Sequence, residues 1–262
     1  MTKQEDLHLV LGVAVANPNK QEFYMKKKRF RNDSEFETRY DEPVPTVNRK
    51  IKRSLEAKGT NQTNYVLSII KEDITFCFGP SGTGKSFISA GIAAQHLVKG
   101  KTKQIIVTRP LVSAGSSLGA VPGDVQEKVR PYLKPMEENL RFFLGDEYFE
   151  QLLEDDIIRF EPLELMRGAS YHDSYMILDE AQNCTLTQIK MFITRIGENS
   201  KVIINGDVNQ TDLKSGSGLQ VCVERLSHLK GVGICELTHD DIQRNPIIKS
   251  ILMALENENL HD

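Results

Sequence analysis

Several things are scarce in this sequence, and each shortage closes off a class of function. Its 262 residues hold four cysteines, Cys77, Cys184, Cys222 and Cys235, with no CxxC pair among them. None has a metal-ligand neighbour at ligand spacing, so reduced thiols are expected and structural zinc is not. The six histidines are scattered and form no HExxH, the helical zinc-hydrolase signature. No apolar run reaches the length of a membrane span. The opening MTKQEDLHLVLGVAV lacks a basic segment followed by a cleavage site, so the expected location is the cytoplasm, with no membrane partner. Net charge is only −3, so any contact with nucleic acid must come from a local patch. The length leaves room for one full α/β domain plus an extension, and hardly for two large domains.

What is present centres on ITFCFGPSGTGKSFISAGIAAQHL, from Ile74. Gly79-Pro80-Ser81-Gly82-Thr83-Gly84-Lys85-Ser86 fits GxxxxGK(S/T) at every fixed position. An apolar run, Ile74 to Phe78, precedes it, and Phe87 to Leu97 follows with helical spacing. Strand, glycine turn and helix N-terminus make an anion cradle, because glycines let backbone N–H groups approach phosphates. Lys85 is the expected partner of the β- and γ-phosphates, and the Ser86 hydroxyl of magnesium. The expected ligands are therefore ATP and Mg.

Two later stretches match that site. Tyr175 to Leu178 is an apolar strand ending in Asp179-Glu180-Ala181-Gln182. Asp179 suits a magnesium ligand, and Glu180 suits the group that polarises attacking water. Lys201 to Asn205 is another apolar strand, followed by Gly206-Asp207 and then Gln210, whose amide could sense the γ-phosphate. Strand candidates at Ile74–Phe78, Gln104–Thr108, Ile157–Glu161, Tyr175–Leu178, Lys201–Asn205 and Gly233–Leu237 alternate with helical patterns. That alternation predicts an α/β fold with a mainly parallel sheet and helices on both faces. Gln104–Thr108 is expected to separate the loop strand from the carboxylate strand, an order that suits ATPases in which a glutamate activates water. A helical segment around Val125–Leu144 interrupts the long connection from Arg109 to Asp156, which also holds AGSSLGAVPGD.

Residues 1–58 read as an extension to a domain spanning 59–262. Lys26-Lys27-Lys28-Arg29-Phe30-Arg31 and the later cluster from Asn48 to Arg53 have aromatics interleaved, among them Phe23 and Tyr24. Such clusters could track a phosphate backbone and stack bases. They could equally be a solvated extension, or one docked on a neighbouring subunit. Arg109, after a strand and before Pro110, is a further candidate for contacting nucleic acid or phosphate.

From about Gly59 to Glu256 the chain resembles the PhoH-like family. The stretches that carry the likeness are GTNQTNYVLSI, GPSGTGKS, TRPLVSAGSSLGAVPGD, EPLELMRGASYHDSYMILDEAQN, IKMFITRIGENSKVIINGDVNQTDL and DDIQRNPII. The resemblance implies a three-layer αβα P-loop domain of RecA-like type, related to superfamily 1 helicase cores. It implies that Gln62 is the glutamine that contacts adenine, and that Arg167, Arg195 and Arg244 stand in family motifs. Ser113 and Ser116 depart from the acidic residues usual in the family, and Asn245 from its histidine. The function expected is ATP hydrolysis coupled to work on RNA or single-stranded DNA. Alternatives are a P-loop kinase of a small molecule and a nucleotide-gated assembly module without motor activity. A single RecA-like domain has no second domain to supply an arginine finger, so a homo-oligomeric ring, of six subunits, is expected. Arg244 is the preferred finger and Arg195 the second, although Arg244 could instead be a helix-start residue paired with Asp240 or Asp241. Arg195 near a helix end could equally be structural, and Arg167 could be a surface arginine before a turn.

Overall fold

The computed structural model describes residues 51–110, 125–208, 210, 213, 217–243, 247 and 251. The chain divides after Val44 into two units, and all of these residues belong to the second. Lys26, Lys27, Lys28, Arg29, Arg31, Ser113, Ser116, Arg244 and Asn245 lie outside the described residues, as does the AGSSLGAVPGD stretch.

Six strands form the sheet: β1 (Ile74–Phe78), β2 (Gln104–Thr108), β3 (Ile158–Phe160), β4 (Ser174–Leu178), β5 (Lys201–Gly206) and β6 (Val232–Glu236). Their order is β3-β2-β4-β5-β1-β6, and every pairing is parallel. The expectation about the intervening strand needs correcting. β5, not β2, lies between the loop strand β1 and the carboxylate strand β4. Order along the chain does not reveal order across a sheet, because long crossovers let later strands insert between earlier ones. One strand still separates the two.

The helices are α1 (Thr60–Lys71), α2 (Lys85–Val98), α3 (Val125–Leu144), α4 (Asp146–Glu154), α5 (Leu186–Ile193) and α6 (Gly218–Leu226). Strand residues alternate between two cores, as a period of two requires. Cys77, Ile105, Val107, Ile177 and Ile203 face one core, with Tyr65 and Ile69 of α1, Ile88 of α2, Phe143 of α3 and Phe149 of α4. Phe76, Ile106, Met176, Leu178, Val202 and Ile204 face the other, with Ile189 and Phe192 of α5 and Leu219 of α6. A sheet packed on both faces is the three-layer αβα fold. Leu55 is buried in the first core, so packing begins ahead of Gly59.

Local chemistry explains the element ends. In α1, Gln62, Tyr65, Val66 and Ile69 are buried at i, i+3, i+4 and i+7, one helix face turned inward and apolar beyond Gln62. α5 starts with a capping box: Thr185 Oγ1 accepts from the Gln188 N–H, and Gln188 Oε1 accepts from the Thr185 N–H. Thr-x-x-Gln before an apolar run is the sequence form of that cap.

Candidate functional site

The glycine loop joins β1 to α2 under tight steric control. A Cβ on Gly79 would lie 1.9 Å from the Leu237 carbonyl oxygen at the end of β6, so no other residue fits there. Gly84 caps α2 in the left-handed region, at φ 93°, where L side chains are strained. Other groups hold the loop. Thr83 Oγ1 donates to the Pro80 carbonyl at 2.8 Å. Gln62 Nε2 donates to the Thr83 carbonyl at 3.0 Å, and the Gln243 N–H donates to the Gly82 carbonyl at 3.0 Å.

A cavity of about 580 Å³ opens over this loop, within the size range of small-molecule sites. It lies where the carboxyl ends of β1, β4 and β5 meet, the expected ligand position in an open parallel sheet. Among the residues expected from sequence, Gln62, Ser81, Gly82, Gly84, Lys85, Ser86, Arg109, Asp179, Glu180 and Gln210 all line it. Gly79, Pro80 and Thr83 shape the loop beneath.

Lys85 Nζ donates to the Gly79 and Pro80 carbonyls, at 2.6 and 2.8 Å. Burial lowers its pKa, against the opposing pull of Asp207, Asp179 and Glu180 among its neighbours. Ser86 Oγ donates to Asp179 Oδ1 at 2.7 Å. Asp179 is buried, and burial first and the Glu180 charge second raise its pKa. A buried carboxylate with a hydroxyl beside it is a poorly neutralised anion, and that suits a divalent cation. Magnesium commonly takes one or two protein oxygens and completes its octahedron with water and substrate phosphates. Ser86 and Asp179 fit that donor set.

Glu180 stands in left-handed backbone, at φ 55° and ψ 40°, a conformation of the kind that clusters at functional sites. One carboxylate oxygen, Oε2, accepts from Gln182 Nε2 at 2.6 Å. The other, Oε1, faces Arg109 Nη2 at 3.9 Å. Gln182 also accepts the Asp207 N–H at 3.0 Å through Oε1, so it ties the carboxylate strand to the end of β5.

Gln62 has both ends of its amide engaged by backbone, since its Oε1 also accepts from the Lys58 N–H at 2.9 Å. Arg195 does not line the cavity; its guanidinium donates to the Met191 and Ala169 carbonyls and to Thr194 Oγ1. Arg167 lines a different cavity, between Leu163–Met166 and α5. Asp241, one of the acids considered for Arg244, accepts from the Thr238 N–H at 2.8 Å and from Asn61 Nδ2 at 2.9 Å. Sequence reasoning missed Glu56, Lys58, Phe87, Pro135, Asn139 and Gln243, which also line the cavity. Phe87 packs on Phe143 with ring centroids 4.7 Å apart, giving that end an apolar wall. Phe87 had a local signal, its place directly after the loop, and Gln243 stands in the DDIQRNPII stretch.

The model of the family described as PhoH-like protein matches residues 54–256. The PhoH-like protein of Bacillus subtilis is 44% identical over 90% of this chain and 74% of its own length. The PhoH-like protein of Synechocystis is 43% identical over 80% of this chain and 66% of its own. Protein PhoH of Escherichia coli is 40% identical over 76% of this chain and 57% of its own. The matched region thus spans between about half and three quarters of each relative. Among solved structures, the Sulfolobus solfataricus SWI2/SNF2 ATPase core in complex with dsDNA aligns over 56% of this chain and 30% of its own. Identity there is 17% and the TM-score 0.36, a likeness too slight to argue from.

Proposed function

Because this chain belongs to the PhoH-like family, we propose that it binds ATP in the cavity over Gly79–Ser86 and hydrolyses it with magnesium. The observation that carries this is the meeting of two carboxylates with the loop. Asp179 is hydrogen-bonded to Ser86, and Glu180 is one residue on, in the same cavity as Lys85. Magnesium held by Ser86 and Asp179 would offset charge on the β- and γ-phosphates. Lys85 turns from the loop carbonyls to the phosphates. Glu180 takes a proton from water as the water oxygen bonds to the γ-phosphorus, and the bond from that phosphorus to the β–γ bridging oxygen breaks. ADP leaves with the bridging electron pair. Gln210, which lines the same cavity, would register loss of the γ-phosphate through its amide. The apolar wall of Phe87 and Pro135 suits a nucleobase.

We extend the reading to RNA or single-stranded DNA as the partner, through the basic residues Lys26 to Arg31, and to a cytoplasmic ring of six copies with Arg244 as a finger in trans. Among the described residues, no helix is long and apolar enough to cross a membrane. The test is the rate of phosphate release by the full chain, alone and with single-stranded RNA or DNA. Free phosphate whose release either polymer stimulates is expected. A phosphorylated acceptor would replace this reading with a kinase, and turnover indifferent to both polymers would remove the coupling. Mixed Arg244→Ala and Lys85→Ala subunits should regain part of the turnover. Assembly without that gain would eliminate Arg244 as the finger.

A further inference from the structure

Arg109 is a further cation of the cavity, beside Lys58 and Lys85, and its position differs from that of Lys85. It follows β2 directly, and β2 pairs with β4 so that Thr108 lies opposite Leu178. The Asp179 N–H donates to the Thr108 carbonyl at 3.0 Å, so the arginine and the two carboxylates leave the sheet side by side. Among the described residues, its guanidinium makes one hydrogen bond, from Nη1 to the Tyr132 carbonyl of α3 at 3.2 Å. A second contact, Nη2 to Glu180 Oε1 at 3.9 Å, is longer than a hydrogen bond. It is an ion pair with both side chains partly open to the cavity, the kind that water and competing ions weaken easily. With Gln182 bonded to Oε2, Oε1 is the oxygen left to take a proton from water, and the Arg109 cation faces it at 3.9 Å.

We propose that Arg109 exchanges anions: it pairs with Glu180 until a terminal phosphate arrives, then turns to that phosphate and leaves Oε1 free for water. This inference rests on the reading of the cavity as an ATP site. A triphosphate outcompetes the carboxylate because it carries more charge and offers several oxygens to a planar fork built to bind them two at a time. A diphosphate ends short of the guanidinium, so the exchange distinguishes ATP from ADP within one subunit. Arg109 is a positioning residue for Glu180 and a reader of the γ-phosphate.

The experiment measures affinities of the full chain, with magnesium, for ADP and for the imido analogue of ATP, which is not hydrolysed. Arg109→Ala should weaken the analogue about tenfold or more and leave ADP unchanged. Arg109→Lys, which keeps the charge without the fork, should restore part of the difference. Glu180→Gln frees Arg109 and should tighten the analogue but not ADP, and that gain should vanish when Arg109→Ala is added. An unaltered analogue-to-ADP ratio in Arg109→Ala, or equal loss for both nucleotides, overturns the inference while the ATP site stands. A wild-type chain that binds neither nucleotide, or whose binding survives Lys85→Ala, overturns the site and the inference with it.

Discussion

At the amino end of the strands, Ser200 Oγ donates to the Tyr171 carbonyl at 2.8 Å and accepts the Ser174 N–H at 2.9 Å. Lys201 Nζ donates to the Glu72 carbonyl at 2.6 Å, and the Tyr175 hydroxyl is hydrogen-bonded to His96 Nδ1 at 2.6 Å. At the carboxyl end, 4 to 6 residues along the same strands, Glu180 has left-handed backbone and Asp179 is a buried acid with a raised pKa. One edge spends its polar groups on closing the sheet. The other keeps charges in surroundings that favour them only weakly, which is what a site awaiting a highly charged ligand requires. Stability and chemistry are thus separated along the strand axis, and substitutions at the two edges should fail differently.

The largest effect is expected at the carboxyl edge. Lys85→Ala should lower ATP affinity by about a hundredfold or more, because the β- and γ-phosphates lose their half-buried cation. Calorimetric titration of the folded variant checks this, and a wild-type affinity would break the comparison outright. Glu180→Gln should cut phosphate release about a hundredfold or more while nucleotide stays bound, and Asp179→Asn should instead shift the magnesium dependence of turnover. Normal turnover in Glu180→Gln would mean that the base lies elsewhere.

Smaller effects of the opposite kind belong to the amino edge. Ser200→Ala leaves the buried Ser174 N–H without its acceptor and should cost about 1–3 kcal/mol of stability. A shifted urea midpoint with unchanged turnover per folded molecule would sharpen the contrast. Burial, ahead of the nearby lysine charges, lowers the His96 pKa from 6.5 to about 4. The folded chain keeps this ring neutral where the unfolded chain protonates it. Its contribution is complete above about pH 6.5 and is lost as pH falls toward 4. His96→Gln should flatten the urea midpoint across that window, and an unchanged slope would count against the assignment. Least of all, Lys103→Ala, which removes a surface pair with Asp173, should alter neither thermal midpoint nor turnover measurably.

Much of this was legible in the sequence because it is local. The strand candidates at Ile74–Phe78 and Gln104–Thr108 match β1 and β2, the other four differ by about one residue at their ends, and Val125–Leu144 is α3. The glycine loop and Asp179-Glu180 are recognisable because a strand, a turn and a helix start impose their residue types within a few positions. What escaped was non-local. Arg109 meets Glu180, and Gln243 meets Gly82, across separations that no spacing rule covers. The bonds that hold the Gln62 amide, to Lys58 and Thr83, are likewise revealed only by the packed loop. The place of β5 was hidden for the same reason, since pairing partners are chosen in space.

That place of β5 bears on the order in which the protein is assembled. Among the described residues β1 pairs with β5 and β6 alone, and its register partner for Ile74 is Val202, roughly 130 residues later. β2, β3 and β4 can join one another as soon as they leave the ribosome, but the phosphate-loop strand cannot. At about 5–20 residues per second, β1 waits on the order of ten seconds for its first neighbour. The proposed nucleotide site therefore forms late in synthesis, and a nascent chain cut before β5 should carry an intact loop sequence with no sheet to hold it.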